Sequence, residues 1–487
     1  FSRRAKLTTT WCRRRSDDQA GSVHLGRGMA TRFIFDPDQS APFSSRLRCH
    51  LGLNERTDRK TSRESMSSNT LQPCFGDSHA DLTSHDTFVN GVPHATFQRL
   101  RREDPVAWIE ESDGSGFWAL TRHADIVSAN KNFKTFTSSQ NIRLEEMATD
   151  ELEARRTMQE MDPPEHTRQR TLVNRAFSRK VISVYEPQIR DLAAQTVQKA
   201  LEKNEFDAVA EIARPIIGRI LGRILGAPEE DGDWLTEKGD ALIGNTDSDF
   251  TTHVVDQVDT EEYRLLPFRS PHSLDLFSYA EKQAETRRKC PSEDVISMML
   301  APMKDGQQLT DLEFKNIFTL IVAAGSDTTR YSIVASIHAI ANHPTLLEEL
   351  RHLDDTAWET ATNELIRWAS PTMHFRRTAT HDVELHGKQI KSGDKVVLWW
   401  ISANRDEAVF KSPFSIVLAR NPNPHIAFGQ WGPHACLGQW LARVEVRCVL
   451  QEFVKRIKRV QQSGPQEHLR SNFINGIKCL PITIERY

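Results

Sequence analysis

The stretch FGQWGPHACLG, residues Phe428 to Gly438, is the most informative part of this 487-residue chain. It places Cys436 in a glycine-rich loop, with His434 two residues before it and an apolar helical pattern after it. A thiolate held in such a loop, with free backbone N–H groups around the sulfur, suits the axial ligand of a haem iron. Gly432 and Gly438 are expected to let the backbone turn close to a flat ligand. The stretch therefore predicts a haem-thiolate site.

A buried structural cysteine is the alternative for Cys436, because that is the commoner role of a lone cysteine. The spacing of the glycines and the presence of His434 favour the iron ligand instead. Cys448 has no such surroundings and is predicted to be a core residue.

A polar sequence, AGSDTT at residues 324–329, interrupts the apolar pattern that runs from Phe314 to Ile340. Polar residues in the middle of a buried helix are costly unless they have a function. An acid beside an alcohol can relay protons towards dioxygen, so Asp327 and Thr328 are candidate catalytic residues. The alternative is a helix N-cap at Ser326 or Asp327.

Two groups of charged residues have the spacing of helix neighbours. Glu364 and Arg367 are three residues apart and share one helix face, where a solvated surface pair is the alternative to a functional role. His166 and Arg170 are four residues apart, and together with Arg377 they are able to hold two propionate carboxylates of a haem. Ordinary surface charge is the alternative for these three side chains.

The composition is that of a globular protein, with 38% hydrophobic and 26% charged residues. The net charge of -3 favours neither nucleic acid nor an anionic membrane surface as a partner. No apolar run approaches the roughly 18 residues that span a bilayer. The 7 cysteines are odd in number and form no C-x-x-C pair, which argues against a disulfide framework or a structural zinc site. A reducing compartment, the cytoplasm, is therefore predicted.

The first 65 residues differ from the rest of the chain. They are rich in Arg, Ser and Thr and show no sustained helix or strand period. We expect residues 1–65 to be a disordered extension or translated upstream sequence, with a transit peptide as the alternative. Residues 66–487 are expected to form a single domain.

The pattern of the remaining chain is mostly helical. Pro105 to Leu120 predicts two short strands around a Ser-Gly turn. Long helical patterns dominate from Val181 to Ala341. Strands are predicted again at Val383 to Leu385 and at Val396 to Trp400, joined by the turn-like residues 391–394.

Taken together and in this order, the cysteine loop, the AGSDTT sequence and the E-x-x-R pair resemble the cytochrome P-450 superfamily of haem-thiolate monooxygenases. The resemblance runs from about Thr87 to Tyr487. It implies a mainly α fold with small β-sheets (α+β), a triangular helical prism that holds haem b and its iron between a long distal helix and the cysteine loop. By position, it implies the iron ligand Cys436, the acid–alcohol pair Asp327 and Thr328, the buried structural pair Glu364 and Arg367, and the propionate partners His166, Arg170, Arg377 and His434.

The cysteine loop departs from the commonest form of that family. Phe428 stands eight residues before Cys436, where seven is usual, and the longer loop resembles the bacterial branch that oxidises steroid side chains and methyl-branched lipids. Arg420 stands where relatives place an arginine that joins the Glu–Arg pair, and Ile416 stands where phenylalanine is more usual. Trp431 is unusual, and it is expected either to pack on the proximal haem face or to screen the sulfur.

The resemblance implies a steroid C-26 monooxygenase that hydroxylates a terminal side-chain methyl with O2 and two electrons. A terpene alcohol or a methyl-branched fatty acid is the alternative substrate. A haem-binding sensor without turnover is the alternative from another class, against which the acid–alcohol pair argues. A ferredoxin and an NAD(P)H-dependent ferredoxin reductase are implied as electron donors, because the chain shows no flavin or iron–sulfur motif. The apolar substrate is expected to contact Val322, Ala323, Pro371 and Phe473, all of which are otherwise plain core residues.

Overall fold

The computed structural model describes residues 78–112, 114–303 and 305–487. The expectation that residues 1–65 are an extension or upstream sequence lies outside these described residues. That residues 66–487 form a single domain stays a prediction.

Helices dominate the regular structure, as the sequence predicts. The α-helices are α1 (His94–Glu103), α2 (His123–Lys131), α3 (Thr149–Arg155), α4 (Glu165–Asn174), α5 (Arg179–Ala200), α6 (Arg214–Leu225), α7 (Gly232–Ile243), α8 (His272–Lys289), α9 (Val295–Leu300), α10 (Asp311–Asn342), α11 (Pro344–Arg351), α12 (Asp355–Ala369), α13 (Trp400–Ala403) and α14 (Gln439–Arg456).

The β-strands are short and form small sheets. They are β1 (Val106–Ile109), β2 (Phe117–Leu120), β3 (Phe136–Thr137), β4 (Glu205–Asp207), β5 (His374–Ala379), β6 (Val383–Leu385), β7 (Lys388–Ile390), β8 (Lys395–Trp399), β9 (Ile457–Gln462), β10 (Glu467–His468), β11 (Ile477–Cys479) and β12 (Pro481–Arg486). The largest sheet has the order β1-β2-β8-β5-β3. The smaller sheets pair β4-β12-β9, β10-β11 and β6-β7.

The strands that the sequence predicts are present, and the described residues contain further strands that it does not predict. β1 and β2 pair antiparallel, with Val106 opposite Leu120, as the sequence of this segment predicts. A third strand, β7, which the sequence did not predict, lies between the two later predicted strands and pairs with β6. The turn at residues 391–394 therefore joins β7 to β8 rather than β6 to β8.

Helix α10 is the central element of the core. It is 32 residues long and begins at the N-cap Thr310, whose hydroxyl accepts a hydrogen bond from the Glu313 N–H at 3.2 Å. It packs against α6, α7, α8, α12 and α14, which surround it with apolar side chains. A helix that is buried on nearly every side is expected to carry apolar residues all around its surface. The polar residues within α10 are therefore exceptions that require partners.

The cysteines behave mostly as the sequence predicts. Cys448 is buried in the core beside apolar residues of α14. Cys290, Cys436 and Cys448 are free thiols, whereas Cys479 forms a disulfide bond that the cysteine spacing did not predict. Within the described part of the chain, no helix combines the length and apolar character needed to cross a membrane.

Candidate active site

Cys436 lies in the turn that precedes α14 and faces a cavity of about 320 Å³. Its backbone N–H donates to the Phe428 carbonyl at 2.8 Å, which closes the loop on itself. The thiol is accessible from the cavity but is otherwise enclosed by protein, and this burial raises its pKa. A hydrogen bond from the Gly438 backbone N–H to the sulfur, followed by the charges of Arg170 and Arg443, opposes that rise in pKa. The loop therefore provides the sulfur with N–H and cationic neighbours that favour a thiolate.

Gly432 and Gly438 of the loop are required for different reasons. A Cβ atom at Gly432 would lie 2.4 Å from the Asn130 carbonyl oxygen, so this glycine serves the contact with α2. Gly432 is not among the residues that line the cavity, and the expectation that it lets the backbone turn close to a flat ligand stays a prediction. A Cβ atom at Gly438 would meet no protein atom within 4 Å, and Gly438 lines the cavity. Only Gly438 opens space on the cavity side.

Trp431 lies on the outside of the loop. Its backbone has a φ of 68° and its ring packs edge-on against His123, with 5.9 Å between the ring centroids. The residue is 44% exposed and is not among those that line the cavity. It therefore does not pack on the cavity side of the loop, which was one of its two predicted positions.

Helix α10 presents one stripe of residues to the cavity. The stripe contains Leu320, Ile321, Ala324, Gly325, Thr328, Thr329 and Ser332, which recur every three or four residues. Val322 and Ala323 lie on the opposite side of the helix, fully buried in the core, so their predicted contact with substrate is wrong. The helical period is the reason: residues 322 and 323 lie on the far side of the helix when Ile321 and Ala324 face the cavity. Pro371 and Phe473 do line the cavity.

Thr328 and Asp327 occupy different environments. Thr328 lines the cavity, and its hydroxyl donates to the Ala324 carbonyl at 3.0 Å. Asp327 does not line the cavity; its carboxylate accepts a hydrogen bond from Arg330, and both side chains are 1% exposed. The structure therefore does not bring the Asp327 carboxylate to the cavity beside the Thr328 hydroxyl.

Asp327 belongs to a buried ion cluster of alternating charge. Arg330 also donates to Asp240 at 2.6 Å, and Arg214 donates to the other oxygen of Asp240 at 3.1 Å. Burial raises the pKa of Asp327 well above its usual range; Arg330 opposes this shift and Asp240 adds to it. The Arg214 side chain is 33% exposed, so the cluster connects the middle of α10 with the surface.

A cationic group of side chains adjoins Cys436. Arg170 and Arg377 line the cavity, and neither forms a hydrogen bond with a carboxylate of the described residues: Arg170 donates to the Ala435 carbonyl at 2.6 Å, and Arg377 donates to the Arg376 carbonyl at 2.8 Å. Burial lowers the pKa of Arg377 to about 10. The two guanidinium groups therefore present unused donors to the cavity.

Two histidines lie beside these arginines. The rings of His166 and His434 lie 4.4 Å apart, and His434 also lines the cavity. His434 contacts the Ser138 hydroxyl at 3.1 Å, whereas neither ring nitrogen of His166 has a partner among the described residues. Burial lowers the pKa of His166 to about 4. Buried donors and acceptors are normally paired, so this group of side chains has the character of a binding site.

Glu364 and Arg367 are completely buried and not a surface pair. Arg367 donates to both carboxylate oxygens of Glu364 at 2.8 Å. Arg420 donates to the same carboxylate at 3.0 Å, and Asn423 donates to it at 3.1 Å. Arg367 also donates to the backbone carbonyls of residues 404, 413 and 415, which fixes the segment that leads to the cysteine loop. Such a saturated network is stable because every buried donor has an acceptor.

Glu445 is a cavity residue that the sequence analysis did not identify. It lies on α14 together with Leu441 and Ala442, which also line the cavity. Burial raises the pKa of Glu445 to about 8, opposed by a hydrogen bond with Thr329 of α10. Residues 441, 442 and 445 are spaced to lie on one helix face. The helical period of the sequence after Cys436 therefore indicates that Glu445 lies on the cavity side.

Comparison with known proteins agrees with this architecture. The family model described as Cytochrome P450 matches residues 118–478, most of the chain. The chain belongs to the cytochrome P450 family. It is 33% identical to a Mycobacterium marinum cytochrome P450 solved in complex with pseudoionone, with a TM-score of 0.72 over 80% of this chain and 94% of that one. The predicted fold, mainly α with small sheets, is thus confirmed.

Two curated relatives are similar over nearly their whole length. The chain is 35% identical to the methyl-branched lipid omega-hydroxylase of Mycobacterium tuberculosis over 80% of this chain and 91% of that protein. It is 31% identical to the steroid C26-monooxygenase of the same species over 85% of this chain and 94% of that protein. This P450 is therefore a monooxygenase that acts on a small molecule and receives electrons from a redox partner. The predicted branch of the family is confirmed.

The residues around the cavity fit haem, the cofactor of this family. In the described parts of the chain, no three His, Cys, Asp or Glu side chains are grouped to hold a metal ion. Cys436, at the cavity surface beside the Gly438 N–H, is suited to be the thiolate ligand of a haem iron. The free donors of Arg170 and Arg377 and the unpaired ring of His166 suit propionates, and the open space at Gly438 suits a flat ring.

Proposed function

We propose that this P450 hydroxylates the terminal methyl of a steroid side chain of the cholesterol or cholestenone type, at C-26. The observation that carries the proposal is the cysteine loop, one residue longer than usual between Phe428 and Cys436, opening onto a largely apolar cavity. The similarity to a steroid C26-monooxygenase supports it. A long apolar substrate requires an apolar channel, which Phe177, Leu221, Phe268 and Phe473 help to form.

A methyl-branched lipid is the second candidate substrate. The methyl-branched lipid omega-hydroxylase of Mycobacterium tuberculosis, at 35% identity, supports it. Both candidates end in a branched alkyl group, so the same reaction at a terminal methyl serves either of them.

In this proposal Cys436 holds the haem iron, and His166, Arg170, Arg377 and His434 hold the two propionates. Bound in this way, haem supplies the activation of dioxygen for insertion of one oxygen atom into an unactivated C–H bond. The Cys436 sulfur would be the electron-rich ligand of that iron, and the N–H of Gly438 keeps the sulfur in place. The neighbouring apolar side chains orient the methyl and exclude bulk water.

Thr328 is proposed to supply protons on the cavity side of α10. Its hydroxyl lies at the cavity surface, where it can exchange its bond to the Ala324 carbonyl for a bond to water or substrate oxygen. Asp327 is proposed to act as the acid that resupplies Thr328. Because its carboxylate is bonded to Arg330, this role requires the side chain to leave the ion cluster and turn towards the cavity.

The electron donors are proposed to be a ferredoxin and an NAD(P)H-dependent ferredoxin reductase, in the cytoplasm. Two electrons are needed for each hydroxylation, and the chain offers haem as its single redox group, because it contains no flavin or iron–sulfur motif. A sensor without turnover is the less favoured alternative, since a monooxygenase family and a hydroxyl at the cavity surface both indicate catalysis.

Turnover of cholestenone tests the proposal. The haem-loaded protein, supplied with a ferredoxin, its reductase and NADPH, should convert cholestenone to a product hydroxylated at the terminal methyl, identified by mass spectrometry and NMR. Oxidation of the steroid rings, or binding without oxidation, would overturn the substrate assignment. A matched pair of variants tests the iron ligand. Cys436→His should abolish both turnover and the red-shifted carbon monoxide band, whereas Cys290→Ser, at an exposed free thiol, should retain both.

A further inference from the structure

A small polar side pocket adjoins the cavity at the first residue of β5. This pocket, here called the polar annex, has a volume of about 10 Å³ and is lined by His374 and Asn472 among other residues. Arg143, Asn245 and Phe473 line both the polar annex and the main cavity, so the two spaces share a wall. A space of this size takes one water-sized group, such as a single oxygen atom with its hydrogens.

The ring of His374 is held in place by aromatic neighbours. It packs edge-on against Trp399 and Phe473, with 4.7 Å and 5.4 Å between the ring centroids. The Met373 N–H donates to the Phe473 carbonyl at 2.9 Å, which ties the start of β5 to the segment that contains Phe473. These contacts fix the orientation of the imidazole without forming a hydrogen bond to either of its nitrogens.

Both ring nitrogens of His374 are buried with no hydrogen-bond partner among the described residues. The residue is 1% exposed. Burial, followed by the charge of Arg143, lowers the pKa of His374 to about 3, so the ring is neutral near physiological pH and carries one donor and one acceptor. Because buried polar atoms are normally paired, a ligand atom or a water is the expected partner.

Other polar groups of the polar annex already have partners within the protein. The Asn472 backbone N–H donates to Nδ1 of His85 at 3.1 Å. The side-chain amide of Asn245 donates to the Phe268 carbonyl at 3.0 Å. His374 therefore stands out in the polar annex as a fixed hydrogen-bonding group that is unoccupied.

The charges around the polar annex compensate each other. Arg143 and Glu145 both line it and form an ion pair at 3.7 Å. Burial lowers the pKa of His85, which favours its neutral form. The residues that line the polar annex therefore carry no net charge. They suit a neutral oxygen, as in a ketone or a hydroxyl, whereas a free carboxylate would face Glu145 without a cation of its own.

We propose that the polar annex binds the ring oxygen of the steroid substrate through a hydrogen bond with His374. The inference rests on the proposed hydroxylation of the terminal side-chain methyl, because that methyl and the ring oxygen lie at opposite ends of an elongated molecule. Arg377, which adjoins Cys436, follows His374 by three residues in β5, a separation of about 10 Å along the strand. The oxygen reaches His374 through the wall that the polar annex shares with the main cavity. A hydrocarbon that lacks the oxygen leaves the ring unpaired and is selected against.

Cholestenone and its deoxygenated counterpart cholestene are the matched probes, because they differ in the ring oxygen and not in the side chain. With the full-length ferric holoprotein, cholestenone should bind about five- to tenfold more tightly than cholestene, measured by the substrate-induced shift of the haem absorption band. His374→Phe keeps an aromatic ring beside Trp399 and Phe473 but has no hydrogen-bonding group, so it should remove this preference. Equal affinities in the wild type, which are expected if the polar annex holds only a water, would overturn the proposal, as would a preference that persists in His374→Phe.

Further variants separate a binding role of His374 from a structural one. His381→Phe is the control, because His381 is exposed between β5 and β6 and lines neither space, so the preference should stay at its wild-type value. His374→Gln retains a donor and an acceptor and should keep part of the preference. If His374→Phe and His374→Gln weaken the binding of both steroids equally, with lower haem content, His374 is structural and the proposal is overturned.

Turnover of the two steroids distinguishes this inference from the proposed function on which it rests. Hydroxylation of both steroids at the terminal methyl, with equal affinities, would overturn the hydrogen bond to His374 and leave the proposed reaction standing. Tighter binding of cholestenone than of cholestene, with oxidation of both away from the terminal methyl, would overturn the proposed reaction and leave the polar annex standing as a binding site.

Discussion

The carboxylate of Asp327 is hydrogen-bonded to Arg330, one turn further along the same helix, and not to its neighbour Thr328. The bond places a buried acid and a buried base side by side, at 1% exposure each. Asp240 of α7 binds the same guanidinium at 2.6 Å. One guanidinium thus compensates two buried carboxylates, which would otherwise repel each other.

Removal of Arg330 should therefore destabilise the protein strongly. Arg330→Met leaves Asp240 and Asp327 buried without their shared cation, and the free energy of unfolding should fall by about 3–5 kcal/mol. The midpoint of urea denaturation measures this. Arg288→Met is the matched control, because Arg288 and Asp311 form a pair whose side chains are 52% and 78% exposed. The control should cost less than about 1 kcal/mol, and an equal loss in both variants would contradict the prediction.

Removal of the Thr328 hydroxyl should uncouple electron transfer from hydroxylation. Thr328→Ala keeps the apolar wall of the cavity, so haem and substrate should still bind. Without the hydroxyl, no side chain at this position donates protons at the cavity surface. The product formed for each NADPH should therefore fall by about tenfold or more, and hydrogen peroxide should accumulate. Thr328→Ser retains the hydroxyl and should stay close to the wild type. Unchanged coupling in Thr328→Ala would remove Thr328 from the proton route.

Gly432 and Gly438 of the cysteine loop should respond differently to a methyl group. Gly432→Ala places a Cβ 2.4 Å from the Asn130 carbonyl oxygen, and such overpacking should cost about 1–3 kcal/mol of folding free energy with haem present or absent. Gly438→Ala meets no protein atom within 4 Å, so the haem-free protein should keep its stability. Its methyl should instead reduce haem retention, measured as the ratio of haem to protein absorbance. Full haem retention in Gly438→Ala would contradict a close approach of the ring at this position.

Glu445 should make stability fall as the pH rises. Its pKa is raised to about 8 in the folded protein, whereas an unfolded glutamate titrates near its usual value of about 4.3. Between these two values the folded state binds more protons than the unfolded state, so this group removes about 1.4 kcal/mol of unfolding free energy for each pH unit gained. The loss begins above the unfolded pKa and is complete above about pH 8.

Glu445→Gln should abolish that dependence. The variant should match the wild type near pH 5 and exceed it in urea midpoint near pH 8, because the amide stays neutral at both pH values. Glu467→Gln, at an exposed position of β10, is the control and should shift neither midpoint relative to the wild type. A parallel pH profile for Glu445→Gln and the wild type would show that Glu445 is ionised at neutral pH in the folded protein.

The candidate iron ligand and the family followed from local patterns. Cys436 is singled out by glycines and a histidine within a few residues of it, and the polar sequence AGSDTT is visible because it interrupts the apolar pattern of α10. The same period, applied one step further, excludes Val322 and Ala323 from the cavity once Thr328 faces it. Resemblance indicated these two residues, whereas their position on the helix places them in the core.

Other features depend on segments that are distant in sequence. The requirement for Gly432 comes from Asn130, and the position of Trp431 comes from His123, some 300 residues earlier in the chain. Arg143 acquires its orientation from Phe268 and Phe473, which belong to two other segments. A local sequence pattern cannot predict these contacts, because the residues that form them are far apart in the chain.

The sequence by itself determined that a glycine-rich cysteine loop, a long apolar helix with a polar interruption and a Glu–Arg pair on one helix face occur in one chain, because each is a pattern within a few turns of backbone. The tertiary structure decided which side chains line the cavity and which are instead held in buried ion pairs away from it. Asp327 is bound to Arg330, while Glu445, Arg143 and Arg155 face the cavity. The physical reason is that burial and ionic pairing depend on packing between helices, and the free energy of a charge is set by those neighbours and not by its own sequence.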